Sequence, residues 1–446
     1  MTIGTSRAGE FADSNLAHRT RHQTALRLLP FLFVLLIVSY LDRTSIAYAA
    51  IGMSRDLGFS DRVFGFGVGV FFLGYLSLQI PGALLAERWS ARKTICVSMF
   101  AWGSLTALTA MVHSPTQLYI ARFLLGLAEA SFFPAVIVLL SHWFIQKDRA
   151  KAVSSFMVAV PFSLLIGSPV AGWIVGHRWF DIEGWRWLFV VEGVPAILLA
   201  AAAFYWLADL PKDAAWLSDE QQTWVATELQ AEKPTDRRVV TILETLRSGK
   251  VLLLAAVGFL IYLPSYAAIF WMPTLLKRQT GLPDVRVGIY LAIPYCVALI
   301  AMLLNGWHSD RYLERRWHAA IPVFLFALGA LGLLVVPQSL STTLLFFSLM
   351  CVELAYLPVF WAIPTEILSE AAAATAIGVI STIANIAGFF GPSLFGYLHT
   401  RTGSLSWGYA MLIASASASG ILMLMIPGAR SPAVEEFAAT PISAKT

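Results

Sequence analysis

The sequence predicts an all-α membrane protein of 12 transmembrane helices, arranged as two bundles of six. Three observations predict this fold: the composition, the length of the apolar runs and a weak internal repeat. Of the 446 residues, 58% are hydrophobic and 13% are charged, whereas soluble domains carry about 25% charged residues. A water-soluble globule of this size could not hide so much apolar surface, because part of every globule faces water.

Apolar runs long enough to cross a bilayer recur along the whole chain. A helix needs roughly 20 apolar residues to span the hydrocarbon core. Runs of this order predict spanning helices at 26–49, 62–84, 94–112, 117–141, 152–176, 187–208, 251–276, 286–307, 319–337, 342–367, 373–398 and 407–427. They divide into an N-terminal bundle over 26–208 and a C-terminal bundle over 251–427.

Three polar segments flank and join the bundles: an N-terminal tail over 1–25, a linker over 209–250 and a C-terminal tail over 428–446. In the linker, Ser218 and Gln221 have the spacing of a capping box, which predicts a short amphipathic helix there. Lysine and arginine are concentrated in the tails, the linker and the loops on one side. Because excess basic residues stay in the cytoplasm, we expect both termini there and a multi-pass protein of the inner (plasma) membrane.

A weak repeat relates the two bundles. Glu87 and Arg88 follow the second predicted helix, and Asp310 and Arg311 follow the eighth. The two acid–arginine pairs lie about half a chain apart, which is the spacing that parallel duplication of a six-helix unit produces.

The loops that carry these pairs resemble the signature loop of the major facilitator superfamily, G-x-L-a-D-r-x-G-r-k. The second copy matches at Gly306, Asp310 and Arg311, whereas the first has alanine at 83, glutamate at 87 and serine at 90 in place of glycine, aspartate and glycine. The resemblance covers nearly the whole chain and implies one central site with alternating access. It also implies a cytoplasmic latch formed by Glu87, Arg88, Arg92, Gly306, Asp310 and Arg311.

Finer motifs resemble the anion:cation symporter branch of that superfamily. They are Y-L-D-R at 40–43, R-F-L-L-G-L-A-E-A at 122–130 and G-W-R-W-L-F at 184–189, and residues 308–318 are similar to the tartrate and phthalate permeases. Known members of the branch carry galactonate, tartrate, phthalate or 4-hydroxyphenylacetate together with protons. The resemblance therefore implies a proton-coupled symporter that imports a small tartrate-, phthalate- or aromatic-acid-like carboxylate.

Four charged residues lie inside otherwise apolar predicted helices: Asp42, Arg43, Arg122 and Glu129. Each costs roughly 2.5–3.5 kcal/mol in a membrane, so they must pair, face water or bind a ligand. Asp42 and Arg122 have similar predicted depths, which predicts a salt bridge between them, and Glu129 lies about two turns deeper. The alternative is a set of ion pairs that only fixes helix packing.

The roles of these four residues follow from the resemblance to the galactonate transporter, which implies that Asp42 and Glu129 bind protons and that the arginines bind the anion. We assign the substrate carboxylate to Arg43, because a guanidinium can hold it with two parallel hydrogen bonds; Arg122 is the second choice. The neutral candidates for the rest of the substrate are Tyr40, Tyr75, Tyr262, Tyr266, Trp361 and Asn385. Each of them is equally compatible with simple packing.

Other classes of function find less support in the sequence. No pattern indicates a catalytic triad, a phosphate loop or a nucleic-acid surface, so we expect neither an enzyme nor a cofactor. Cys96, Cys296 and Cys351 lie in apolar runs and predict no metal site. The expected partners are the carboxylate, protons and the bilayer, with a monomeric protein. Two rivals remain open, a proton-driven efflux antiporter and a transporter-like anion sensor. For Glu192, Glu353 and Glu366 we expect structural roles.

Overall fold

The computed structural model describes residues 4–232, 242–368 and 370–426, and within them the chain is helical apart from short connections and one isolated bridge between Trp179 and Ile182. The helices of the N-terminal half are α1 Gly4–Leu57, α2 Asp61–Arg88, α3 Ala91–Thr109, α4 Pro115–Trp143, α5 Gln146–Val175 and α6 Gly184–Trp206. Those of the C-terminal half are α7 Gly249–Thr280, α8 Asp284–Tyr312, α9 Arg316–Val335, α10 Leu340–Ile367, α11 Glu370–Thr402 and α12 Ser406–Leu424.

Eleven helices of the described part are long and apolar enough to cross a membrane. The twelfth, α3, has 19 residues, and its mean hydropathy is lowered by Arg92 and Lys93 in its first turn and by several hydroxyl side chains. It packs along α6 and also contacts α4. The twelve predicted spans are therefore all present as helices. The first one begins at Gly4 and not near residue 26, so the predicted tail continues α1.

Two of the helices are interrupted in the middle of the membrane. In α4 the regular helix ends at Glu129 and resumes at Phe132. In α10 a 3₁₀ turn over Val352–Ala355 separates two α-helical segments. Such breaks in a spanning helix are tolerated where neighbouring helices satisfy the freed backbone groups, and both breaks here carry a glutamate.

The two halves meet along α2 with α11 and along α5 with α8. The two interfaces correspond under the internal repeat, because α8 is the counterpart of α2 and α11 is the counterpart of α5. Glycines allow the close approach: a Cβ on Gly172 of α5 would lie 2.8 Å from the Cα of Gly288 in α8, and one on Gly69 would lie 2.7 Å from the carbonyl oxygen of Phe389. Small residues at such contacts let helix backbones pack directly against each other.

Polar contacts between the halves lie at the predicted outer end. Both carboxylate oxygens of Asp61 in α2 accept hydrogen bonds of 2.6 Å from Arg278 at the end of α7, and Nδ1 of His399 in α11 lies 2.6 Å from Oδ2 of the same carboxylate. Ser393 Oγ donates to the Gly65 carbonyl oxygen at 3.2 Å one turn further in. The halves are thus closed against each other at the predicted outer end, and we call this arrangement the outer-closed conformation.

At the predicted cytoplasmic end, the latch residues of the N-terminal half pair within that half. The backbone N–H of Arg92 donates to Asp209 Oδ1 at 2.8 Å. The Glu87 carboxylate lies 4.0 Å from His142, and Arg88 is exposed. These residues hold the α2–α3 connection against the segment that follows α6.

The latch residues of the C-terminal half are likewise satisfied locally. Asp310 accepts a hydrogen bond of 2.5 Å from Arg315, whose Nε donates to Glu366 of α10 at 2.8 Å. Gly306 and Arg311 lie near the end of α8, where Gly306 is half-buried and Arg311 is exposed. Within the described ranges, no hydrogen bond or ion pair of the six latch residues joins the halves. The predicted latch is not closed in this conformation.

The linker is anchored to the N-terminal half. Ser218 and Gln221 form the predicted capping box, and the helix Asp219–Ala231 follows it. Trp216 stacks on Trp143 of α4 with ring centroids 5.2 Å apart, and its carbonyl oxygen accepts from Gln23 at 2.8 Å. The middle of the predicted linker, 233–241, and the predicted C-terminal tail lie outside the described residues.

We expect Gly172→Val to open the outer end, because the added methyl groups would overlap Gly288. Overpacking a contact costs about 1–3 kcal/mol, which would shift the conformational equilibrium by roughly fivefold to a hundredfold. Spin labels at the exposed outer positions Phe180 and Thr402 should report longer distances. The matched control is Gly378→Val, where an added Cβ meets no atom within 4 Å. An unchanged distance distribution in Gly172→Val would show that the α5–α8 contact does not hold the outer end closed.

Candidate anion and proton site

Four charged side chains are buried together in the N-terminal half. Asp42 and Arg43 lie on α1, and Arg122 and Glu129 lie on α4, with exposed fractions of 1%, 7%, 0% and 1%. Their formal charges cancel, which reduces the cost of placing them in the membrane as a group. The cost of each individual charge depends on which partner it finds.

Arg43 and Glu129 form a buried ion pair. Nε of Arg43 donates to Glu129 Oε1 at 3.1 Å, and a terminal guanidinium nitrogen donates to the same oxygen. Ser39, one turn before Arg43 on the same face of α1, also donates to Oε1 at 2.7 Å. The second oxygen, Oε2, is buried without a hydrogen-bond partner among the described residues. All the donors converge on one oxygen of the carboxylate, and the other stays available.

Asp42 points away from this pair, toward α3. Thr106 Oγ1 donates to Asp42 Oδ2 at 2.8 Å, and Oδ1 has no partner within the described ranges. The predicted Asp42–Arg122 salt bridge is wrong, since no hydrogen bond or ion pair joins these residues in the part of the chain that the structure describes. Equal depth along the helix axes places two residues at one height, but it does not turn their side chains toward each other.

Arg122 is a buried cation without a hydrogen-bond partner. None of its three guanidinium nitrogens has one among the described residues, although the side chain is fully buried. Its guanidinium carbon lies 4.8 Å from the ring centroid of Phe71. A contact with a ring face gives about 2 kcal/mol when desolvated, which is less than a carboxylate partner would supply. Arg122 is therefore the residue of this site that is best placed to receive an added anion.

Aromatic rings surround the guanidinium of Arg43. Its central carbon lies 4.9 Å from the ring centroid of Tyr75, 5.2 Å from that of Tyr40 and 5.4 Å from that of Phe71. These rings exclude water from the ion pair and strengthen its electrostatic attraction. The two predicted tyrosines of the N-terminal half are thus at the arginine itself.

The C-terminal half reaches this site through stacked aromatic rings. Phe71 packs edge-on against Phe72 at 5.3 Å, and Phe72 lies 4.5 Å from Tyr266 of α7. Tyr266 donates through its hydroxyl group to Asn385 Oδ1 at 3.1 Å, and Asn385 donates to the Ser381 carbonyl oxygen at 2.9 Å. The buried Asn385 amide thus has partners on both of its ends.

The other two predicted neutral candidates lie beside these rings. Tyr262 packs edge-on against Tyr266 with ring centroids 5.4 Å apart, and Trp361 of α10 neighbours Tyr262. All six neutral candidates are therefore brought to one level between the halves, with the charges on one side and amide and phenol groups on the other. This arrangement can hold an anion with a polar or aromatic body.

Residues 32–392 match the model of the Major Facilitator Superfamily. The chain belongs to that superfamily. A protein of Agrobacterium vitis named "Putative tartrate transporter" is 36% identical over 417 residues, which cover 93% of this chain and 96% of the relative. The "Quinolone resistance transporter" of Acinetobacter baumannii is 34% identical, and the match covers 86% of this chain and 90% of that protein.

The fold is also that of a solved member of the superfamily. A crystal structure of a D-xylose-proton symporter aligns with a TM-score of 0.72 over 91% of this chain and 98% of that one, at 16% sequence identity. Together with the transporter names of the relatives, the family assigns a multi-pass membrane transporter and not an enzyme.

Sequence reasoning missed several residues that shape the transporter's site. Ser39 donates a hydrogen bond to Glu129, and Thr106 donates one to Asp42. Phe71 and Phe72 connect the halves. Ser39 could have been found, because it precedes Arg43 by four residues and so shares its helix face. A threonine or a phenylalanine in an apolar helix carries no such signal, because packing explains it equally well.

The two arginines should respond in opposite ways to the same substitution. We expect Arg43→Met to lower the free energy of unfolding by about 3–5 kcal/mol, because it leaves the Glu129 carboxylate buried without a cation. Arg122→Met removes a cation that has no hydrogen-bond partner, so it should be neutral or slightly stabilising. Thermal unfolding of both variants in the same detergent measures the contrast. Equal losses in the two variants would mean that Arg122 has a stabilising partner in the folded transporter.

Proposed function

We propose that this transporter imports a small organic acid anion together with protons. The observation that carries the proposal is the Arg43–Glu129 pair, with Arg122 beside it and without a hydrogen-bond partner in the described part of the chain. The Glu129 carboxylate occupies the position on the Arg43 guanidinium at which a substrate carboxylate would bind. The relative named for tartrate supports an organic acid as the cargo.

Competition for Arg43 would couple the anion to the proton. A substrate carboxylate can displace Glu129 from the guanidinium only if the displaced group does not remain as a buried, unpaired negative charge. Protonation of Glu129 removes that charge. Arg43 could then bind the substrate through the planar fork that suits a carboxylate. Arg122 would hold a second acidic group or share the first, and Tyr40, Tyr75, Tyr262, Tyr266, Trp361 and Asn385 would contact the rest.

Asp42 is the second proton site that we propose. It lies nearer the predicted outer face than Glu129, and one hydroxyl donor satisfies only one of its oxygens. Its other oxygen has no hydrogen-bond partner among the described residues and is free to take up a proton. Protons arriving from outside would therefore reach Asp42 before Glu129.

Transport would follow from alternating opening of the two ends. In the outer-closed conformation the Asp61 cluster holds the halves together, while Glu87, Arg88, Arg92, Gly306, Asp310 and Arg311 pair locally or lie exposed. We propose that these latch residues close the cytoplasmic end in the opposite conformation. The proposal includes cytoplasmic termini, the inner membrane, a monomer and the two-bundle division around the linker.

The shape and chemistry of the site favour a compact acid with a planar or polyhydroxylated body. Two arginines suit two acidic groups, or one acid that both of them share. The rings of Tyr40, Tyr75 and Tyr266 suit an aromatic acid, and their hydroxyl groups suit a hydroxy acid such as tartrate. Along α7 no basic residue lies between Lys250 in the first turn and Lys277 near the predicted outer end, so this helix offers only neutral groups at the level of the site.

A proton-driven efflux antiporter is the second candidate function. The relative named for quinolone resistance favours it, and the same carboxylates could serve it. The direction of proton movement separates the two candidates, since a symporter moves protons with its substrate and an antiporter moves them against it. A transporter-like sensor would show neither flux.

Uptake should follow a pH gradient that is alkaline inside. Purified transporter in liposomes is offered labelled tartrate, phthalate or 4-hydroxyphenylacetate, and at least one of them should accumulate several-fold. A protonophore should abolish the accumulation, because the gradient is then lost. Arg122→Met in the same liposomes should bind and transport little. Accumulation that persists with the protonophore would refute proton coupling. If preloaded label instead leaves the liposomes against its own concentration gradient, the antiporter is favoured.

Asp42→Asn should abolish concentrative uptake and leave exchange of internal for external substrate within about twofold of the parent. Exchange requires only that the loaded transporter reorients, whereas net uptake requires that the proton leaves. The matched control is Asp56→Asn near the end of α1, where the aspartate pairs with Arg186 outside the site. Full gradient-driven uptake by Asp42→Asn would remove Asp42 from the coupling.

A further inference from the structure

A glutamate is also buried inside a spanning helix of the C-terminal half. Glu353 lies in the 3₁₀ turn of α10, and 2% of the residue is exposed. Its carboxyl group is hydrogen-bonded to Ser265 Oγ of α7. No lysine, arginine or histidine in the described ranges pairs with it, and its titratable neighbours are the Cys351 thiol and the Tyr356 phenol. In contrast to Glu129, it has no cation to balance a negative charge.

The hydrogen bonds of Ser265 indicate which form of the carboxyl group is present. Ser265 Oγ is within hydrogen-bond distance of two oxygens, the Ile261 carbonyl oxygen at 2.8 Å and Glu353 Oε1. A serine hydroxyl has a single hydrogen to donate, and a backbone carbonyl can only accept. Both contacts are satisfied at once only when Ser265 donates to Ile261 and the protonated carboxyl group of Glu353 donates to Ser265. An ionised Glu353 would leave two acceptors competing for one hydrogen.

The position of Glu353 connects it to the movement of the halves. The 3₁₀ turn of α10 contacts α7 through the Glu353–Ser265 hydrogen bond, and the residue before Ser265 is Pro264, which cannot donate a backbone hydrogen bond within α7. Tyr266, the next residue after Ser265, packs on Phe72 of the N-terminal half at 4.5 Å. A shift of the halves that moves Tyr266 along Phe72 would also move the hydroxyl group that holds Glu353.

We propose that Glu353 is a proton-binding site of the C-terminal half, that it carries its proton in the outer-closed conformation, and that it releases the proton when the halves rearrange. The protonation of Glu353 is inferred from the contacts of this residue alone. The release of the proton during transport rests on the proposed proton-coupled function. On this proposal each half of the transporter holds at least one transported proton, and the C-terminal proton site contains no arginine.

Infrared spectroscopy of the purified transporter in lipid tests the protonation without any substrate. At neutral pH we expect a carbonyl-stretch band of a protonated carboxylic acid that is lost in Glu353→Gln. The matched control is Glu366→Gln in the same helix, where the carboxylate is paired with Arg315; this variant should keep the band. Ser265→Ala should move the band to a higher frequency, because the carboxyl group loses its hydrogen-bond partner.

The outcomes that decide the protonation are distinct. If the band keeps its full intensity in Glu353→Gln, or does not move in Ser265→Ala, Glu353 is not the protonated group and the proposal fails. If Glu353→Gln cannot be purified in folded form, the Ser265→Ala shift decides alone. Neither measurement depends on whether the protein transports an acid.

The number of protons carried per anion tests the release. It is obtained from the membrane voltage at which net flux of the accumulated acid stops under a fixed pH gradient. We expect Glu353→Gln to carry about one proton fewer than the parent per anion. An unchanged number, together with a lost infrared band, would make Glu353 a permanently protonated packing residue and overturn the release. A parent that carries no protons would overturn the proposed function and the release together, while the infrared result for the protonation would stand.

Discussion

The ion pair between Arg43 and Glu129 is the interaction on which the arrangement of the site depends. A charge inside hydrocarbon is costly unless it is paired, and this chain places two acids and two arginines side by side in its N-terminal half. One pair forms, and it leaves Asp42 with one hydroxyl donor and Arg122 with no hydrogen-bond partner among the described residues. The four formal charges thus sum to zero, but not every charged group has a hydrogen-bond partner. The groups without partners leave room for an anion and for protons.

The two halves contribute different chemistry to the same level of the membrane. The N-terminal half supplies both arginines and their acids, whereas the C-terminal half supplies Tyr266, Asn385 and a glutamate without a cation. Phe71 and Phe72 connect the two halves within the site, because Phe71 packs on Phe72 and Phe72 packs on the ring of Tyr266. A ligand bound between them would contact fixed charge on one side and adjustable dipoles on the other. Its charge and its body would therefore be recognised by different halves.

Closure of the outer end is achieved by a small area of close packing. Glycines at the α5–α8 and α2–α11 contacts bring backbones together, and Asp61 joins α2 to α7 and α11. Acid–base pairs at the opposite end are satisfied inside each half. Both ends therefore use the same kinds of residue, and the conformation depends on which set of contacts crosses between the halves. The proposed alternation between two conformations would exchange one set of contacts for the other.

The sequence by itself determined the helices, the two-bundle repeat and the identity of the charged site residues. These features are local: hydropathy over about 20 residues specifies a spanning helix, and a charge in such a run is conspicuous wherever it points. Only the tertiary structure decided the partners. Adjacent residues of a helix diverge by about 100°, so Asp42 turns to Thr106 and Arg43 to Glu129, and the expected Asp42–Arg122 bridge does not form. The contact of Glu353 with Ser265 joins residues far apart in the chain, and it depends on a helix break that hydropathy does not reveal. Which end is closed was also decided only by the tertiary structure, because the sequence identifies residues at both ends but not which of them contact the other half.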